Sequence, residues 1–95
     1  MNKYEIMFIV RPDMEEAEIK KTAEDMKKVL TDGKATIAEE KNMGQRELAY
    51  EVKKFKTGYY FLFVVEAESE VIDEFARVVG INESVIRHLI VKVED

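Results

Sequence analysis

His88 is the only histidine in this 95-residue chain, and serine occurs only at Ser69 and Ser84. A histidine working as a general base needs a nucleophile or an orienting carboxylate beside it. His88 instead lies in an apolar run, with Ile86 and Ile90 on its own parity and Leu89 and Val91 beside it. It reads as a structural residue. Carboxylates are plentiful, but their spacing is that of a helix surface. Glu15, Glu16 and Glu18 fall where the first turn of a helix favours acids. Glu16 with Lys20 and Glu24 with Lys28 are i,i+4 pairs, each worth about 0.2–0.5 kcal/mol. A solvated helix face explains them better than a cation site. Arg11 is placed to meet a phosphate, but the loop Arg11-Pro12-Asp13-Met14 has no glycine, one residue without an N–H, and an acid. That is a poor anion cradle. There is no cysteine, which excludes disulfides and thiolate metal centres. The expectation is a protein that is not an enzyme and holds no cofactor or metal.

What remains is charge. The formal net charge is −5, unevenly spread. Residues 41–58 carry five basic side chains (Lys41, Arg46, Lys53, Lys54 and Lys56) against two acidic ones, a local net of +3. Residues 66–83 carry six acidic side chains against Arg77, a local net of −5. The first zone can meet a phosphate backbone. The second repels phosphate and suits a basic protein partner. The aromatic run Lys56-Thr57-Gly58-Tyr59-Tyr60-Phe61 has the flavour of a base-stacking strand. Thr57 interrupts it, however, and aromatics on a central strand are usually core.

The elements that must position these residues follow from periodicity. Composition (46 % hydrophobic, 37 % charged, one proline) fits a folded chain, and its length fits one domain over residues 1–95. Residues 4–10 read as a buried strand, with Ile6, Phe8 and Val10 on one face and Glu5, Met7 and Ile9 on the other. The run is too short to cross a bilayer and no cleavage-site pattern follows it, so a cytoplasmic, non-membrane protein is expected. Asp13 with Glu16 has capping-box spacing for a helix carrying Ile19, Ala23, Met26 and Leu30 on one stripe. Gly33 is expected as its left-handed terminator.

Residues 35–52 form a second strand region. Ala35 and Ile37 have odd parity, whereas Leu48, Tyr50 and Val52 have even parity. A bulge near Asn42-Met43-Gly44 reconciles the two. Residues 55–57 are expected in a hairpin connection and 58–66 in a central third strand. Ser69 is expected to cap a second helix that Gly80 ends, with Val71, Ile72, Phe75, Ala76 and Val79 on its apolar side. Residues 85–93 make the last strand. The order strand–helix–strand–strand–helix–strand predicts an α+β, ferredoxin-like split βαβ fold: a four-stranded antiparallel sheet with both helices on one face. The uncovered face is a candidate protein interface, with Tyr4, Met7 and Ile9 as its candidates. A small-molecule-sensing or regulatory module on this fold is the alternative, since such sites sit on variable loops.

One segment adds a family. Gly44-Gln45-Arg46-Glu47-Leu48-Ala49-Tyr50-Glu51-Val52-Lys53 resembles the signature of the sixth small-subunit ribosomal protein of bacteria, with Val52 in place of the usual isoleucine. Lys3-Tyr4-Glu5-Ile6, Arg11-Pro12, Gly58-Tyr59-Tyr60, and Ile81, Val85, Arg87 and Val91-Lys92 are similar to further family positions in the same order. The resemblance implies a structural ribosomal protein. It would bind the central domain of small-subunit rRNA as a heterodimer with a small basic protein, the eighteenth of that subunit, and stabilise the RNA fold during assembly. By position, Lys3, Arg46, Arg87 and Lys92 are the implied RNA-binding residues. Lys53, Lys54 and Lys56 join them on charge alone. Glu47 is acidic where some members carry a second arginine.

Overall fold

The computed structural model describes residues 1–93; the last two residues of the expected 1–95 domain lie outside that description. The elements are β1 (Asn2–Val10), α1 (Glu16–Asp32), β2 (Thr36–Val52), β3 (Phe55–Ala67), α2 (Ser69–Ile81) and β4 (Val85–Val93). The strands form one antiparallel sheet in the order β2-β3-β1-β4. This is the expected βαββαβ ferredoxin-like arrangement.

The core lies between one sheet face and the two helices. Tyr4, Ile6, Phe8 and Val10 of β1 and Phe61, Phe63, Val65 and Ala67 of β3 meet Ile19, Ala23, Met26 and Leu30 of α1 and Ile72, Phe75 and Val79 of α2. The strand residues recur every second position because alternate side chains share a face. The α1 residues recur at three and four, the helical stripe.

The helix ends depart from expectation in ways that chemistry explains. Asp13 does not cap α1. Its carboxylate accepts two hydrogen bonds from the Arg11 guanidinium, at 2.7 and 2.9 Å, and Glu15 takes the N-cap position through its backbone. The Arg11 hydrogen bond holds the Asp13 carboxyl below its ordinary pKa. The stabilisation from this pairing is therefore in place above the ordinary carboxylate range and fades as pH falls through the lowered value. Ser69 is likewise not a cap but the first residue of α2, after Glu68. Gly33 has φ −83°, and the left-handed residue is Lys34, at φ 66°. The Lys34 N–H donates to Thr31 and the Ala35 N–H to Leu30, which is the Schellman pattern displaced by one residue. Gly33 serves close approach instead, because a Cβ there would stand 2.6 Å from Val71 of α2.

Gly80 does not end α2, which continues to Ile81, and a Cβ at Gly80 would meet nothing within 4 Å. Gly80→Ala is therefore expected to stabilise the protein by about 0.4–1 kcal/mol, through unfolded-state entropy and helix propensity. A denaturant midpoint that falls would show that position 80 needs glycine for a reason other than space.

Candidate nucleic-acid and protein interface

The face of the sheet opposite the helices carries cross-strand rows that can be read from the register. One row is Lys41–Leu62–Met7–Leu89, and the next is Glu39–Val64–Glu5–Val91. Leu89 and Val91 are 54 % and 44 % exposed. The open face is thus an apolar patch with Glu5 at its centre and Glu39 and Glu66 beside it. Of the expected interface residues, Met7 is half-buried here. Tyr4 is not on this face. It has the parity of Ile6 and belongs to the core, at 8 % exposure. Ile9 has the right parity but is 3 % exposed. The missing Cβ of Gly58 lets Ile9 press against the backbone there, and the next row of the sheet is covered by the β2–β3 hairpin.

That hairpin is the feature that periodicity does not disclose. The pairing of β1 with β3 ends at Val10↔Tyr59, yet β3 starts at Phe55. Four residues of β3 therefore overhang the sheet, about 13 Å at strand rise. The bulge expected near Gly44 is present: the register shifts between Asn42 and Gly44. Gly44 takes φ 76°, and its N–H donates to the Asn42 side chain at 2.9 Å. Two further irregularities were not expected. One lies between Ile37 and Glu39, and the other between Glu47↔Thr57 and Val52↔Phe55. In the second, residues 48–51 stand opposite Lys56 alone, so the β2 side has three residues too many and must buckle.

The buckled segment folds over the open face. Leu48, Ala49, Tyr50 and Val52 close against Met7, Ile9, Tyr60, Arg87 and Leu89 around an apolar cleft of about 180 Å³. Tyr50 reaches Arg87 of the opposite edge strand. The guanidinium carbon stands 5.3 Å from the ring centroid, and Nη1 donates to the tyrosine hydroxyl. Leu48 and Val52 are half-buried rather than core, and Tyr50 is exposed.

The hairpin tip is Lys53-Lys54, at φ 49° and 71°. Two successive positive φ values at a two-residue connection make a type I′ turn, normally filled by Asn-Gly. Residues 55–57 therefore belong to β3 and not to the connection. Arg11 lies over the ring of Phe55 at 5.2 Å. With Asp13 on its other side, it is a fastening for the tip end of the arm rather than a phosphate ligand.

The seven basic candidates fall into two groups. Arg46, Lys53, Lys54 and Lys56 are exposed on or beside the arm, and Arg87 is tied to it through Tyr50. Arg46 Nε donates to the Met43 carbonyl at 3.3 Å, which folds the side chain along the bulge. Lys3 and Lys92 lie at the other end of the sheet. Lys3 is six residues from Ile9, the partner of Arg87, about 20 Å at strand rise. Lys92 pairs with Tyr4 and so shares the helix side. The acidic zone also divides: Glu66 is on the open face, opposite Lys3, whereas Glu70, Asp73 and Glu74 are exposed on α2. His88 is exposed on the edge strand opposite Phe8, and among the described residues no side chain hydrogen-bonds to it. No described helix is long and apolar enough to cross a membrane.

Fold and surface together define a ferredoxin-like module that presents a charged arm and an apolar sheet face. The family model for ribosomal protein S6 matches residues 3–92. The chain is 48 % identical to the small ribosomal subunit protein bS6 of Halalkalibacterium halodurans over 95 residues, spanning all of both chains. It is 47 % identical to that of Shouchella clausii over 94 residues, 99 % of each. The crystal structure of 30S ribosomal protein S6 from Thermotoga maritima matches with a TM-score of 0.93 and 29 % identity, over 97 % of this chain and 87 % of that one. The chain belongs to the ribosomal protein S6 family. It is a structural constituent of the bacterial small ribosomal subunit, not an enzyme, and it works in the cytoplasm as part of the ribosome.

Proposed function

We propose that this chain binds the central domain of small-subunit rRNA as a heterodimer with a small basic protein, the eighteenth of the subunit, and holds one RNA conformation during assembly. The observation that carries the reading is the gathering of Arg46, Lys53, Lys54 and Lys56 on or beside one overhanging arm, with Arg87 of β4 tied to it through Tyr50, in a chain whose net charge is −5. Phosphate contacts from such an arm supply affinity without reading sequence. Lys3 and Lys92, at the far end of the sheet and on opposite faces of it, make contacts separate from the arm.

The partner belongs on the open sheet face. Met7, Leu62, Leu89 and Val91 offer it an apolar centre, and Glu5 at that centre offers opposite charge, whereas Glu39 is paired with Lys41 and Glu66 stands opposite Lys3. A basic protein seated there removes the repulsion that the acidic chain alone presents to RNA and extends the positive field of the arm.

The test is a titration of a central-domain rRNA fragment with this protein, with the partner, and with both. Tight binding that weakens steeply with salt is expected only with both proteins present. Binding that does not depend on the partner would sink the heterodimer. No binding in any mixture would sink the RNA reading itself.

A further inference from the structure

The contact between Tyr50 and Arg87 joins opposite edges of the sheet. Tyr50 belongs to β2 and Arg87 to β4, and β3 and β1 lie between them. Three strand spacings amount to about 14 Å, so the two side chains meet only because residues 48–51 buckle over the open face. We infer that Tyr50 is a positioning residue: it latches the arm to β4 and fixes the Arg87 guanidinium and the Lys53-Lys54 tip for RNA. This rests on the RNA reading above.

Three features carry the inference. First, the guanidinium sits at the hydroxyl end of the ring, its carbon 5.3 Å from the centroid, and Nη1 donates to the hydroxyl. Second, Tyr50 is 59 % exposed, so burial of its own surface does little to explain its place. The ring's visible work is to hold Arg87. Third, the guanidinium has five N–H donors in one plane. One goes to the tyrosine oxygen, and the others remain at the edge where a phosphate can take two at once.

A free arginine must be ordered as it binds, and a latched one is ordered beforehand. The same latch sets the direction of the tip. Lys53 is three residues beyond Tyr50, so order at Tyr50 limits the freedom of the β2 side of the tip. Arg11 over Phe55 fastens the β3 side of the hairpin beside the tip, and on the β2 side Tyr50 adds a polar tie to the apolar contacts of Leu48 and Val52.

The experiment compares Tyr50→Phe, Tyr50→Ala, Arg87→Ala and the double variant Tyr50→Ala/Arg87→Ala. The readouts are binding of the central-domain rRNA fragment with the basic partner present, and backbone amide exchange of residues 48–54 in the RNA-free protein. Thermal melts confirm that each variant is folded. Tyr50→Ala and Arg87→Ala are each expected to weaken RNA binding about tenfold, and the double variant little more than either alone, because the two residues act as a unit. Tyr50→Phe keeps the ring and should lose only about two- to threefold. Amides 48–54 should exchange faster in Tyr50→Ala and in Arg87→Ala.

Losses that multiply to about a hundredfold in the double variant would make Tyr50 an RNA contact in its own right and overturn the latch. Unchanged exchange in the arm would overturn it as well. Arg46→Ala separates the two levels of the argument. If it weakens binding while Tyr50→Ala does not, the latch fails and the RNA reading stands. If neither variant changes binding, the latch fails and Arg46 leaves the RNA surface, while the RNA reading itself falls only if the parent protein binds in no mixture.

Discussion

Phe8→Ala is expected to remove about 3–5 kcal/mol of folding stability, seen as a large fall in the guanidinium midpoint with little change in slope. Phe8 is fully buried in the central strand β1, flanked by β3 and β4. Its ring is stacked on Phe61 at 5.3 Å and meets Phe63 edge-on at 5.4 Å. Truncation removes two aromatic contacts and opens a cavity that strands paired on both sides cannot close. A domain of this size has roughly 5–15 kcal/mol in total, so this one change takes a large share of it. Met7→Ala, one residue away on the open face, serves as the contrast and should cost far less. Similar costs at the two positions would mean that the two faces of β1 are not as different as their burial indicates.

The contrast between Phe8 and Met7 was legible from the sequence, because a strand with one covered face writes its burial in alternate residues. The helix stripe Ile19, Ala23, Met26, Leu30 was legible for the same kind of reason, and so was the kink at Gly44, where the parity of apolar residues changes. Tyr4 could have been assigned too: it shares the parity of Ile6, and that signal places it in the core rather than at an interface.

The caps failed because local pattern does not show competition. Arg11, two residues before Asp13, captures its carboxylate. Lys34 takes the left-handed position that a neighbouring glycine seemed to claim. The arm failed for a deeper reason. Tyr50 and Arg87 are 37 residues apart, and no periodicity reports a contact between opposite edges of a sheet. Leu48, Tyr50 and Val52 alternate as an ordinary buried strand does, and only the three surplus residues opposite Lys56 reveal that the segment buckles. The basic candidates suffered accordingly. Their charge was visible, but their division into an arm group and a distant Lys3–Lys92 group depends on register.

The tip itself yields the second large effect, with opposite signs for stability and binding. Lys53 and Lys54 both occupy left-handed backbone, which costs a residue with a Cβ roughly 1 kcal/mol or more at each position. Asn-Gly fits the same type I′ turn without that strain. The double substitution Lys53→Asn/Lys54→Gly is therefore expected to raise folding stability by about 1–2 kcal/mol. The same change removes two cations from the arm. If both meet phosphates, the slope of log affinity against log salt should become shallower by about 1.4–1.8, with affinity lower at low salt and less different at high salt. A protein that becomes more stable and binds RNA less well would mean that the strained turn is kept for its charge. A stability gain with unchanged affinity and slope would remove both lysines from the RNA surface and leave Arg46, Lys56 and Arg87 to account for it. A loss of stability would mean that contacts made by the lysines, not their backbone, determine the shape of the turn.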